Sequence, residues 1–266
     1  MAKAGKKLSK SGASDLRILI ANDDGIRAPG LKVMERIART LSKDIWVVAP
    51  ETEQSGAGHS LTLHEPLRIR RLSSRRYAVR GTPTDCVLMA LSHILKDQKR
   101  PDLLLSGVNR GANMGEDVTY SGTVAAAMEA TLLGFPAIAL SLFTDDHRAA
   151  KWATSEHWTG ETVRRLTAMT WPKSVLMNVN FPDVVANSVT GIEATRQGRR
   201  KIGSEFTEGV DPRGEPYFWI GSQRGEDRRR RGTDLEAVSR GAISVTPLSL
   251  DLTHEPSLRG LKAVLP

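Results

Sequence analysis

Residues 16–25 read LRILIANDDG. The apolar run from Leu16 to Ala21 has the length and content of a buried strand, and Asn22-Asp23-Asp24-Gly25 stops it at a turn. Downstream, Leu31, Met34, Ile37, Ala38 and Leu41 recur at helical spacing. Ile45 to Ala49 is a second apolar run, stopped by Pro50. Strand, helix and strand in this order predict a βαβ unit whose second strand lies parallel to the first.

The alternation continues outward from that unit. Arg68 to Leu72 and Tyr77 to Arg80 predict a short antiparallel pair around Ser73-Ser74. Thr82-Pro83-Thr84-Asp85 supplies a cap, a first-turn proline and an early acid for a helix carrying Val87, Leu88, Leu91, Ile94 and Leu95. Cys86, in its first turns, reads as a small core residue. Asp102 to Ser106 is a strand, Thr123 to Leu133 a helix ended by Gly134, and Ala137 to Leu142 a strand. Val175 to Val179 is another strand after a further helix. The fold class expected is α/β, a doubly wound, mostly parallel sheet with helices on both faces.

Near residue 195 the texture changes. Residues 196–232 are crowded with Arg, Gly, Glu and Pro around one aromatic cluster, Tyr217-Phe218-Trp219. A self-contained core is not expected there; a projecting arm that packs on another subunit is. Ala242 to Leu248 returns as a strand. The expected organisation is a disordered basic tail (1–15), a catalytic core (16–195), the arm (196–232) and a C-terminal return to the core (233–266).

Composition narrows the class of protein. With 266 residues and 39% apolar content, the chain can bury a sizeable core. A single cysteine cannot make an internal disulfide and fits a reducing compartment. The basic first fourteen residues lack the apolar stretch of a signal peptide, and no run approaches the length of a membrane helix. A soluble, cytoplasmic protein without a membrane partner is expected. The formal net charge of +8 is uneven, with Lys3, Lys6, Lys7 and Lys10 in the tail and a run from Arg228 to Arg231. Neither group interleaves with aromatics, so solvated charge is favoured over a specific nucleic-acid surface.

The chemistry begins at Asn22-Asp23-Asp24-Gly25. Neighbouring side chains on a strand point to opposite faces, so two adjacent aspartates converge only where the strand has ended. In a doubly wound sheet, the carboxyl ends of the strands are where ligands bind. Two carboxylates there call for a hard cation such as Mg²⁺ or Mn²⁺; a bare Asp-Asp-Gly, standing alone, is more often a solvated turn capping the next helix. The other strand ends favour the cation. They carry PETEQSGAGHS at 50–60, GVNRGANMG at 107–115 and YSGT at 120–123, three polar, glycine-rich loops at one sheet edge. Neither a GxGxxG nor a P-loop spacing occurs among them. Ser121-Gly122-Thr123 at a helix start suits a phosphate oxygen or an ordinary helix cap. His59 is either a proton shuttle or a loop-fixing histidine.

In order and spacing, NDDG, APETEQSGAGHSLT, GTPTDC, SGVNRGANMG and YSGT resemble the SurE family of survival-protein nucleotidases, as do NVNFP at 178–182, GTD at 232–234 and SVTPL at 244–248. The resemblance runs from about Arg17 to about Leu248. It implies a Rossmann-like core, hydrolysis of nucleoside 5′- and 3′-monophosphates, and one divalent metal ion per subunit. The metal ligands it implies fall on Asp23, Asp24, Ser55 and Asn109. Phosphate would then be held by Ser121, Gly122 and Thr123, with Asn113 beside them. The resemblance also implies a homodimer or homotetramer formed through the arm. Two other readings are open: a phosphatase acting on short-chain polyphosphate or another phosphomonoester through the same site, and a nucleic-acid-binding protein using its basic segments.

Overall fold

The computed structural model describes residues 6–7, 16–144, 149–202, 205–221, 224–228 and 230–265. Most of the basic tail lies outside them, as does Arg229 of the arginine run; within the tail, Lys6–Lys7 form a two-residue strand, β1.

The core begins with β2 (Arg17–Ala21), α1 (Pro29–Leu41) and β3 (Asp44–Pro50). Pro29 starts α1, where a missing N–H costs nothing, and its apolar stripe, including Leu31, Met34, Ile37 and Leu41, is buried against the sheet. β2 and β3 pair in parallel, as the βαβ reading requires. β4 (Arg68–Ser73) and β5 (Arg76–Arg80) form the expected antiparallel pair. α2 (Pro83–Met89) opens with a full capping box: Thr82 accepts from the Asp85 N–H, and Asp85 accepts from the Thr82 N–H. Cys86 is completely buried in α2, and burial pushes its thiol well above the ordinary range, which makes it a core residue.

β6 (Leu103–Arg110), α3 (Gly122–Leu132), β7 (Ala137–Leu142), α4 (Trp152–Ala168), β8 (Thr170–Trp171) and β9 (Val175–Phe181) complete the alternation, and β1 pairs with β8. β6 ends four residues later than the apolar run suggested. It continues through Gly107-Val108-Asn109-Arg110 with a bulge between Gly107 and Asn109. The polar Asn109 therefore sits at a strand end, not in a loop. Gly107 has φ 126°, and a Cβ there would lie 2.2 Å from the Leu140 carbonyl oxygen, so only glycine lets β6 and β7 close at this point.

After β10 (Ile192–Ala194) the arm forms a two-step ribbon. β11 (Arg200–Ile202) pairs antiparallel with β14 (Arg224–Glu226), and between them β12 (Phe206–Val210) pairs with β13 (Pro216–Ile220). α5 (Asp234–Ser239) and β15 (Ile243–Ser249) lead back to the sheet, and β15 runs antiparallel to β9. The final helix, α6 (Glu255–Val264), has no buried residue, so the return to the core ends with β15 and Leu250.

The main sheet has nine strands in the order β10-β15-β9-β7-β6-β2-β3-β5-β4. The six from β9 to β5 are parallel. α1 and α4 pack on one face and α2 and α3 on the other, each over its own apolar cluster. The strand order reverses at β2, because the chain moves outward to β3 on one side and to β6 on the other. The crevice between the carboxyl ends of β2 and β6 is the switch point at which such sheets bind ligands.

Candidate active site

A cavity of about 390 Å³ opens at this switch point, lined by Asp23, Ser55, Asn109, Arg110, Asn113, Ser121 and Arg200 among others. Five of the residues singled out in the sequence thus line one cavity. Asp24, next to Asp23, is half-buried.

Backbone bonds hold the loops together. The Asp23 carbonyl accepts from the Gln54 N–H at 2.9 Å, the Ile26 N–H donates to Pro50 at 2.8 Å, and the Gly58 N–H donates to Tyr120 at 3.1 Å. The NDDG turn, the loop after β3 and the start of α3 therefore form one unit. Asn113 is clamped from β9. Its carbonyl accepts from Asn178 at 2.8 Å and Asn180 at 3.1 Å, and its N–H donates to Asn180 Oδ1 at 2.9 Å. Residues 178 and 180 share a strand face, so the NVNFP segment acts as a two-pronged clip.

The two aspartates are placed against their own charge. Asp23 is 5% exposed, and burial raises its carboxyl above the usual range, although hydrogen bonds from Thr123 oppose the rise. Burial first, and the charge of Asp23 second, push Asp24 up to about 7. Glu53 adds repulsion on both, while a hydrogen bond from the Arg110 backbone and the weaker pull of its guanidinium offset part of this at Asp24. A pair in this state is relieved by a cation.

The neutral donors suit a hard divalent ion. Asn109 commits Nδ2 to the Gly111 carbonyl at 2.9 Å, which leaves Oδ1 to coordinate. Ser55 donates its hydrogen to Glu53 at 2.8 Å, which leaves the oxygen's lone pairs. Among the described residues no group of three or more His, Cys, Asp or Glu could hold a metal. An ion here would have two carboxylates and neutral oxygens to draw on, a donor set suited to Mg²⁺ or Mn²⁺ and not to soft metals.

Two residues of the expected phosphate cradle, Thr123 and Gly122, meet Asp23. Thr123, expected to hold phosphate, is fully buried. Its hydroxyl donates to Asp23 Oδ1 at 2.5 Å and its backbone N–H also bonds that carboxylate. The start of α3 thus secures Asp23. Gly122 is the residue against which Asp23 packs: a Cβ there would lie 2.6 Å from Asp23 Cβ. Ser121 is the helix cap, accepting from the Val124 N–H at 3.0 Å; because it is the acceptor, its own hydrogen can still point into the cavity. His59 Nε2 pairs with Glu129 at 3.0 Å and is not among the cavity residues, in keeping with a loop-fixing role.

Sequence reasoning missed Arg110 and Arg200. Arg110 follows Asn109 directly. Arg200 comes from the root of the arm, where it is 5% exposed; it ion-pairs with Asp117 at 3.2 Å and Glu226 at 3.0 Å. Asp234 locks that root. Its carboxylate accepts from the N–H groups of Gly115 at 3.0 Å, Gly198 at 2.8 Å and Leu235 at 2.9 Å. Asp234→Ala leaves these donors without partners and is expected to cost about 1–3 kcal/mol. Thermal unfolding measures this, and an unchanged midpoint would show the root to be held by other contacts.

Comparison with known proteins adds an independent observation. A family model described as "Survival protein SurE" matches residues 18–204. The chain is 68% identical over 249 residues to a Paramagnetospirillum magneticum protein named 5′-nucleotidase SurE, covering 94% of this chain and 95% of that one. It is 56% identical over 261 residues to a Parvibaculum lavamentivorans protein of the same name, covering 97% and 94%. The crystal structure of a SurE protein from Aquifex aeolicus superimposes with a TM-score of 0.80 at 39% identity, covering 94% of this chain and all of that one.

Proposed function

This chain belongs to the SurE family, and from that membership and the site at its switch point we propose that it is a metal-dependent nucleotidase hydrolysing nucleoside 5′- and 3′-monophosphates. The observation that carries the proposal is Asp23, which lines the cavity with Ser55 and Asn109, beside the half-buried Asp24 whose carboxyl its charge helps to raise. These four residues would hold one Mg²⁺ or Mn²⁺ ion. When bound, such an ion supplies Lewis acidity toward a phosphoryl oxygen and promotes the ionisation of water.

The chain's own groups supply the rest. Thr123 donates two hydrogen bonds to Asp23, which keeps that carboxylate oriented and favours its charged form. The Arg110 backbone does the same for Asp24. Ser121, Asn113 and the cations Arg110 and Arg200 face the space in which a phosphate dianion would lie. In the reaction a water oxygen bonds to phosphorus, the bond from phosphorus to the ribose oxygen breaks, and that oxygen leaves with a proton as the nucleoside hydroxyl.

The test is phosphate release from a panel of 5′- and 3′-nucleoside monophosphates, a non-nucleotide phosphomonoester and tripolyphosphate, with Mg²⁺ or Mn²⁺ supplied. Release from both nucleotide series above the other substrates is expected. Preference for tripolyphosphate would move the reading to a polyphosphatase, and nucleic-acid binding without release would overturn it.

The proposal includes a cytoplasmic homodimer or homotetramer. Among the described residues, no helix is long and apolar enough to cross a membrane. On the arm, Phe206, Phe218, Trp219 and Ile220 are each at least 60% exposed, an apolar surface of the kind that marks an interface. Replacing residues 205–221 with a short Gly-Ser linker is expected to leave monomers by light scattering. An unchanged assembly would place the interface elsewhere.

A further inference from the structure

A second cavity, of about 530 Å³, opens at the other end of the strands, where β3 and β5 begin and α1 ends. Arg39, Lys43, Arg75 and Arg76 line it, with Glu35 as the one carboxylate. Glu35 is shared between Arg76 and Arg39, the latter at 3.3 Å, and Arg75 pairs with Asp44 at 3.2 Å. With Asp44 counted beside Glu35, the four cations keep an excess of two positive charges. The carboxyl end of α1 offsets only about half a charge of it.

Arg76 connects this cavity to the metal loop. One arm of its guanidinium pairs with Glu35, and the other donates to the carbonyl of Ile26. Ile26 follows Asp23-Asp24-Gly25, and its own N–H is bonded to Pro50. A single side chain thus faces the distal cavity and braces the turn that presents both aspartates.

We propose that this cavity binds a small anion carrying two or more phosphates, and that its occupation lowers turnover by drawing Arg76 away from the Ile26 carbonyl. The size suits a small ligand, and the charge suits a compact polyanion, whose binding would weaken with salt. The anion competes with Glu35 for Arg76, and the loop loses a brace. The substrate cavity lies at the opposite end of the strands, so the effect falls on kcat and not on KM. That kinetic consequence rests on the proposed nucleotidase reading; the binding itself does not.

The experiment uses the full chain. Binding of pyrophosphate and of a nucleoside diphosphate is measured by calorimetry without added metal, for the wild type, Lys43→Glu and Arg75→Gln. Turnover is measured with Mg²⁺ in excess over the anion. Both altered side chains lie at the rim of the distal cavity, and basal turnover is expected to stay at the wild-type level. Each variant is expected to weaken anion binding at least tenfold and to abolish the fall in kcat. Equal affinity for the two anions would identify the phosphate chain as the recognised group; tighter nucleotide binding would identify the nucleotide as its source. Wild-type affinity in both variants, or inhibition that only raises KM and is the same in all three proteins, would overturn the proposal. If turnover is absent altogether, the nucleotidase reading fails while the calorimetry still decides the site.

Discussion

Asp24→Asn is expected to abolish turnover, by at least about a thousandfold, while making the metal-free protein more stable at pH 8. The first effect follows from the proposed metal site, which would lose one of its two charged ligands and keep neutral donors beside Asp23; about 4 kcal/mol of transition-state stabilisation corresponds to that factor. The second follows from proton linkage. Burial and the charge of Asp23 push the Asp24 carboxyl from an ordinary value of 3.8 to about 7. The folded protein therefore holds this proton more tightly than the unfolded chain does. Its stabilising contribution is complete below about pH 4 and is lost as pH rises through about 7. At pH 8 the metal-free native state carries an unfavourable buried charge worth on the order of a few kcal/mol, which asparagine removes. Denaturant unfolding of chelator-treated protein at pH 5 and pH 8 measures this. The variant should gain more stability over the wild type at pH 8 than at pH 5, where only part of the penalty has developed, and an equal difference at both would refute the account of Asp24.

Gly122→Ala is expected to lower turnover at least about a hundredfold. The added Cβ would lie 2.6 Å from Asp23 Cβ, 3.0 Å from Asp23 Oδ2 and 3.0 Å from Pro83 Cγ. Asp23 is held by both donors of Thr123, and Pro83 is fixed as the first residue of α2. Neither can withdraw, so the carboxylate itself must shift. Displacements of this size cost on the order of 1–3 kcal/mol of packing and more in catalysis, where an ångström matters. Thr123→Val is the milder companion. It keeps the shape but removes the hydroxyl bond to Asp23, for an expected ten- to a hundredfold loss. Turnover and metal affinity measured side by side separate the two ideas about this turn. If it carries Asp23, both quantities fall together. If it held only phosphate, metal affinity would survive.

Much of this was legible in the sequence for a physical reason. Buried parallel strands are continuous apolar runs, and each run here is stopped by polar or turn-forming residues, so Ile18 to Ala21 and Ala137 to Leu142 declare themselves. The NDDG turn could be placed at a strand end because adjacent carboxylates cannot converge within a strand. The end of β6 was harder to see. Ser106, Gly107, Asn109 and Arg110 are polar or glycine yet still pair with β7, because the bulge and Gly107 let a strand continue where composition suggests a loop. Thr123 and Ser121 were assigned from the helix start alone. A helix N-terminus receives any nearby anion, and nothing local distinguishes a phosphate from the Asp23 carboxylate one hundred residues earlier. Arg200 left no local signal. It reaches the cavity only because Asp234 and Gln197 tie the arm's root to Gly115, a contact between segments about 80 and 120 residues apart.

The most direct test is metal titration of the chelator-stripped wild type, with bound Mn²⁺ and phosphate release from a nucleoside monophosphate followed in the same samples. The account predicts negligible release in the stripped protein, one equivalent of ion bound per chain, and turnover that rises in proportion to that occupancy in the wild type but not in Asp24→Asn. Full release from the stripped protein, or wild-type metal binding and turnover in Asp24→Asn, would contradict it.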